Sequence, residues 1–288
     1  ADVLDGQYSI FFLRNTGREA LQFYLSAFIA RVFGTGISFL TLKIGTALLG
    51  FLTLPFIFLF ARETVGQKAA GYALFLAGIA YWPNVISRAG LRFPLYPVFA
   101  APAMYFLIRG IRRKNISDFV WSGIAVGFGL HGYSPARVIP LVILAGVLVY
   151  AAHRASRGWR KHAVTYLIAT GIVALVILMP LLRVAVDMPD QFLFRMLSRM
   201  GEVEREFPGN PAAIFFKNLW DALLIFNVDN GEIWILGPTH RPAFDWITGA
   251  LFMIGLVLVT LRYVQNSRWT DLYLLISIPL LLLPSILS

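Results

Sequence analysis

From Ile37 to Ala61 the chain carries a single charge, Lys43. Hydrocarbon offers no water to a backbone N–H or C=O, so a run like this must close its own hydrogen bonds as a helix. It is longer than the about 20 residues that cross a bilayer core. Further apolar runs follow at 69–86, 93–108, 119–130, 138–152, 163–182, 246–261 and 272–287. The chain is 58% hydrophobic and 14% charged, against about 45–50% and about a quarter in soluble domains. The pattern predicts an all-α fold, a polytopic transmembrane helix bundle with interfacial juxtamembrane helices. We expect one domain over 1–288: an outer loop and juxtamembrane helix at 1–36, transmembrane helices at 37–182, a large outer loop at 183–245 and transmembrane helices at 246–288.

The net charge of +10 would suit nucleic acid only if it formed a patch. Instead the cations crowd into alternate short loops, with Arg109, Arg112, Arg113 and Lys114 in one and Arg154, Arg157, Arg160 and Lys161 in another. Arg62, Lys68, Arg262 and Arg268 join the same side, while the opposing turns hold Arg88, Arg92 and Arg137. This is the positive-inside pattern of a protein bound to a lipid bilayer, with no nucleic-acid partner. It puts the opening loop, the two sparse turns and the 183–245 loop outside. With no cysteine, disulfides and thiolate metal sites are excluded. His131, His153, His162 and His240 are too scattered for a metal-binding spacing.

Around Gly17 an arginine and a glutamate, Arg18 and Glu19, open an apolar stretch that we read as a helix over 17–33. At helical spacing Arg18, Gln22 and Ser26 form a narrow polar stripe. Charge on a membrane-grade surface is a site hypothesis by default; the plainer reading is an interfacial helix whose wet end the pair marks. The helix would extend about 25 Å, short of a full span, so we place it in the interface. In the large outer loop, 189–201 and 211–226 read as amphipathic helices, the second with Asn210 as N-cap and Pro211 as first residue. Such helices roof a cavity or lie on a bilayer.

Arg18, Lys43, Arg88, Arg92 and Arg137 all fall at the outer level. Arginine grips phosphate oxygens in pairs and lysine serves as a point charge, so the set suits a phosphate or diphosphate headgroup. For any one of them, independent snorkelling to the interface is the simpler account. Tyr24, His131 and Tyr133 lie at the same level as candidate substrate contacts, with Trp234, His240 and Asp245 in the large loop. Gly123, Gly127, Gly129 and Gly132 read as helix-packing positions rather than a phosphate loop.

In order, "GREALQFYLSAFIARVFG", "LTLKIGTALLGFLTLPFIFLFARE", "SRAGLRFPLYP", "GYSPARVIP" and "RPAFDWITGALFMIGL" follow one pattern. It resembles the bacterial membrane glycosyltransferases related to protein O-mannosyltransferases and to the aminoarabinose transferases of lipid A, the type C glycosyltransferases. The resemblance runs through essentially the whole chain. It implies a polyprenyl-phosphate-linked sugar donor and a glycan, lipid or protein acceptor. It also implies transfer with inversion on the outer face of the bacterial cytoplasmic membrane, and juxtamembrane helices in the first outer loop. An acid in that loop would be the general base, and cations would stabilise the leaving phosphate. Arg18 then becomes a phosphate contact, and Glu19 its partner or a hydrogen bonder on the acceptor side.

Two departures follow. The family's Asp-Glu pair precedes the stretch matching Val3-Leu4-Asp5-Gly6, so the catalytic acid and the first span are expected upstream of Ala1. Asp2 and Asp5 are not promoted to that role. Where some relatives carry an acid in the second outer turn, this chain has Arg88 and Arg92, which leaves a divalent metal as an open expectation and no other cofactor implied. The competing classes are a transporter or flippase of an anionic lipid or solute, and a structural membrane subunit. A transporter should show repeated halves and helices broken at the midplane.

Overall fold

The computed structural model describes residues 2–13, 17–190, 192, 209–232 and 237–287. The helix expected over 189–201 lies almost wholly outside the described residues, and Trp234 lies outside them too.

The opening stretch differs from its sequence reading. Arg18 and Glu19 are not helical: they form a short strand, β2, antiparallel to β1 at Phe11–Phe12, with Phe11 opposite Glu19 and Phe12 opposite Arg18. Gly17 sits at φ +79°, a backbone turn that an L side chain resists, and the ladder that follows holds the pair extended. The first helix, α1, starts only at Leu21 and runs to Val32. At about 18 Å it cannot span the bilayer.

Helix α2, Phe39–Thr64, crosses it; Ser38 caps its start by accepting from the Thr41 amide at 3.3 Å. The span expected over 69–86 is broken instead. α3, Gln67–Ile79, and α4, Tyr81–Arg88, meet at a 52° bend. Pro83 explains the break, since its ring would clash with the Ile79 carbonyl that closes a continuous helix. The Asn84 side-chain amide donates to the Gly78 and Ala80 carbonyls at 2.9 Å each, covering backbone groups that the break leaves open.

A 3-10 turn at Phe93–Leu95 leads into α5, Pro97–Arg113, and a tight basic loop into α6, Ile116–Leu130. A second 3-10 turn, Ser134–Val138, opens α7, Ile139–Ala152, and α8 follows at Arg160–Asp187. α9, Pro211–Leu224, has Asn210 as its cap, accepting from the Ala212 amide at 2.9 Å. α10, Trp246–Asn266, and α11, Trp269–Ile286, close the bundle.

The core gathers where α5, α6, α7 and α11 meet: Leu107, Ile108, Phe119, Val142, Val147 and Tyr273 have no exposed surface. α5 and α6 reach only about 25 and about 22 Å, short of the bilayer core; α5 is largely enclosed by the bundle, while Trp121 and Phe128 of α6 stay exposed. α6 lies tight on α8, because a Cβ at Gly123 would come within 2.6 Å of the Thr170 carbonyl and one at Gly127 within 2.8 Å of Ile177. Outside, Phe51 on α2, Ile168, Ile172 and Val176 on α8, and Leu258 on α10 are exposed. A continuous apolar outer surface of that kind is what lipid requires. Among the described residues five helices are long and apolar enough to cross a membrane, six if the bent α3–α4 pair is taken as one span. The protein is an integral membrane protein.

Charges collect at the two ends. At the basic end Arg112 meets Glu63 at 2.9 Å, the Arg262 Nε meets Asp271 at 2.8 Å, and Arg109 pairs with Asp118. At the other end, beyond the membrane-spanning segments, Asp245 caps α10. Thr248 and Ile247 amides donate to it, and the Thr248 amide above all holds its carboxyl below the usual carboxylate range. His240 Nδ1 lies 2.9 Å from Asp229, which raises the imidazole pKa and lowers that of the carboxyl.

Candidate functional site

A cavity of about 1300 Å³ opens at the end of the bundle opposite the basic loops. Its walls come from β1, β2 and α1, from the start of α2, and from the turns before α5 and α7. The end of α11 and Phe192 close it. Phe23, Ala27, Ala30, Phe39, Leu42, Leu141 and Leu283 make most of the lining apolar.

Its polar centre is Glu19, 4% exposed. β2 turns this side chain inward. Gly90, at φ +74°, reverses the chain after α4 so that Arg92 arrives beside it, and the Gly90 carbonyl accepts from the buried Gln22 amide at 3.3 Å, tying α1 to the turn. Glu19 Oε2 accepts from Arg92 Nη1 at 3.0 Å. Its other oxygen, Oε1, accepts from Arg137 Nη2 and from the Ser134 hydroxyl, each at 3.4 Å. Each guanidinium also lies over a ring, Arg92 5.2 Å from the Tyr133 centroid and Arg137 5.3 Å from that of Phe192. Each thus has one edge fixed by a carboxylate and one face fixed by an aromatic. A guanidinium carries five N–H donors, and among the described residues Arg92 and Arg137 each give only the one to Glu19. The arrangement is a two-armed cation set in an apolar chamber, suited to an anionic headgroup with a long apolar tail.

Of the residues singled out from sequence, Arg18, Glu19, Arg92, Tyr133 and Arg137 line this cavity. The other described candidates do not. Lys43 and Arg88 are exposed on α2 and α4, outside the lining. Tyr24 donates from its hydroxyl to the Ser9 carbonyl at 2.9 Å and stacks on Tyr8. His131 bonds the Ile177 carbonyl at 2.8 Å, joining α6 to α8. His240 and Asp245 are committed to their own loop, as described above. The sequence reading passed over Ser134, Phe192 and the α11 wall. For Ser134 the signal was present, three residues before Arg137 in a turn that brings both to one carboxylate; for Phe192 it was the amphipathic pattern over 189–201, of a kind that roofs a cavity.

The family model for dolichyl-phosphate-mannose-protein mannosyltransferase matches residues 20–183, which hold α1 to α8 and most of the cavity wall. The solved structure of the archaeal oligosaccharyltransferase AglB from Archaeoglobus fulgidus, in complex with an inhibitory peptide and a dolichol-phosphate, is similar in fold. The TM-score is 0.62 at 17% identity, over 97% of this chain and 42% of that one. The chain therefore spans under half the length of that relative. No curated protein matches the sequence. Because the family model covers more than half of the chain, and the polytopic helical fold agrees with it, the protein belongs to the dolichyl-phosphate-mannose-protein mannosyltransferase family.

Proposed function

We propose that the chain is the membrane-embedded core of a glycosyltransferase that moves a sugar from a polyprenyl-phosphate carrier to an acceptor at the outer face of a bacterial cytoplasmic membrane. The observation that carries this reading is the pair of guanidiniums, Arg92 and Arg137, held on Glu19 in the wall of an otherwise apolar cavity. A polyprenyl phosphate combines one anionic group with a long hydrocarbon, and the cavity offers a partner for each. Family membership supports the donor class, as does the dolichol-phosphate bound to the archaeal structure of similar fold. The crowding of arginine and lysine at the opposite end supports the outward orientation.

In the reaction an acceptor hydroxyl oxygen bonds to the anomeric carbon as the bond from that carbon to the phosphate oxygen breaks. The electron pair leaves on the phosphate. Arg92 and Arg137 meet that growing charge with donors already aimed, which lowers the barrier without reorganisation at the moment of transfer. Arg18 lines the same wall. The hydroxyl proton goes to an acid that the family pattern puts ahead of Val3, and no residue of 1–288 is assigned that role. The acceptor is a hydroxyl-bearing glycan, lipid or protein. Among the described residues no three His, Asp or Glu side chains come together to hold a metal ion, so the present donor set does not fit one and no step is routed through it.

The transporter class predicts matched broken helices in two halves. Among the described residues one bent pair occurs, at α3–α4. The deciding experiment is transfer of a labelled sugar from a polyprenyl-phosphate donor by the full-length protein in vesicles. Label appearing on an acceptor supports the reading. Movement of intact donor across the bilayer with no sugar released overturns it in favour of transport.

A further inference from the structure

Glu19 is a buried carboxylate in a chamber built for an anion, and its presence there needs a reason. Left alone it would repel the phosphate that the two arginines are held to receive. Its geometry shows where its charge is spent. Oε2 takes Arg92 at 3.0 Å, and Oε1 takes Arg137 and Ser134 at 3.4 Å each. Both oxygens are therefore engaged by donors from two turns of the chain, one before α5 and one before α7. The third constraint is β2, which fixes the Glu19 backbone against Phe11.

We infer that Glu19 is a positioning residue for the donor phosphate: it sets Arg92 and Arg137 at one spacing and orientation, so that their remaining N–H groups form a single ready-made clamp. This rests on the phosphate reading of the cavity given above. Two arginines without a common counter-charge would repel each other and splay. On one carboxylate they converge, each braced on its second side by Tyr133 or Phe192. The pair keeps one net positive charge after Glu19 is counted, enough to meet a singly charged phosphodiester. Glu19 is accordingly not the base for the acceptor, since its oxygens face guanidinium groups.

The test is direct binding of a short-chain polyprenyl monophosphate to the full-length protein in nanodiscs, with kcat and KM for the sugar donor measured alongside. Four variants are compared: Glu19→Gln, Glu19→Asp, Arg92→Ala and Arg137→Ala. Glu19→Gln keeps shape and removes charge, and it is expected to weaken probe binding and raise donor KM about tenfold, with kcat falling far less than in Arg137→Ala. Glu19→Asp keeps the charge on a shorter arm and should fall between. A residue serving only as a fold tie would lower the melting temperature and leave KM in place.

If Arg92→Ala and Arg137→Ala bind the probe as tightly as the unaltered protein, the phosphate reading itself is wrong. If those two weaken binding while both Glu19 variants bind normally, only the positioning role falls. Loss of kcat in Glu19→Gln at unchanged probe binding would also overturn it, because the carboxylate would then be acting on the reacting atoms. Should Glu19→Gln fail to fold, Glu19→Asp alone decides by the same binding comparison.

Discussion

Glu19 and Arg92 lie 73 residues apart in sequence and 3.0 Å apart in space, with only 5% and 9% of their side chains exposed. A buried pair of this kind is poor evidence of stability, because the cost of desolvating two charges rivals their attraction. Replacing both by apolar groups of similar size, as in Glu19→Leu with Arg92→Met, is expected to leave the melting temperature near or above that of the unaltered protein. The same double variant should lose sugar transfer. Calorimetry of the purified protein and a transfer assay would check the two halves separately.

The proposed clamp takes its second arm from Arg137. Arg137→Ala is expected to cut transfer by about 10²-fold, the size of effect seen when one preorganised donor to a developing anion is removed. Arg137→Lys should recover part of the loss, since it restores a point charge without the planar fork. Initial rates at saturating donor would show the order.

Helix α6 lies against α8 at a distance that only a missing side chain permits. In Gly123→Ala the new methyl would come within 2.6 Å of the Thr170 carbonyl, a backbone atom that cannot swing away. Overpacking of this type costs about 1–3 kcal/mol. A lowered melting temperature with normal membrane insertion is the expected result, read by thermal denaturation in detergent.

Orientation can be tested because the chain has no cysteine of its own. Single cysteines placed at the exposed residues Gln7 and Arg157 should label oppositely with a membrane-impermeant maleimide on intact cells. Gln7→Cys is expected to react from outside, and Arg157→Cys only after the cells are opened.

The His240–Asp229 pair gives a pH dependence outside the membrane. Asp229 raises the His240 pKa above 6.5, and His240 first, then the Gly231 amide, lower that of Asp229 below 3.8. Stabilisation from a raised histidine is complete below its ordinary value and fades as pH climbs through the raised one. Stabilisation from the depressed carboxylate is present above its ordinary value and is lost as pH drops through the lowered one. The contact between residues 229 and 240 should therefore hold best between the ordinary carboxylate and histidine ranges and weaken as pH rises through the raised His240 value. The His240 ring resonance followed by NMR would show the raised midpoint, and Asp229→Asn should return it towards 6.5.

Much of the helical architecture was legible in the sequence because lipid imposes a simple rule: apolar length sets the spans. Asn210 as a cap and Gly123 as a packing site followed from equally local chemistry. Arg18 and Glu19 were misread as helical because a periodic pattern does not register a left-handed glycine in front of it or a strand partner behind. The break at Pro83 was passed over because 69–86 is apolar on average, although Pro83 and Asn84 interrupt it. Which of the outer cations share one chamber is a matter of tertiary geometry. Arg92 and Lys43 look alike along the chain, and only the reversal at Gly90 sends one of them inward.

The contact between Glu19 and Arg137 joins residues 118 positions apart. At about 5–20 residues per second, a ribosome would need on the order of 6–24 s to supply the second after the first. During that interval the glutamate stands in the nascent chain without its second arginine, and α1 through α6 must be made before the two can meet. The site is therefore a late product of biogenesis. A chain halted just short of Arg137 would already be threaded through the membrane, with Glu19 still missing its second arginine.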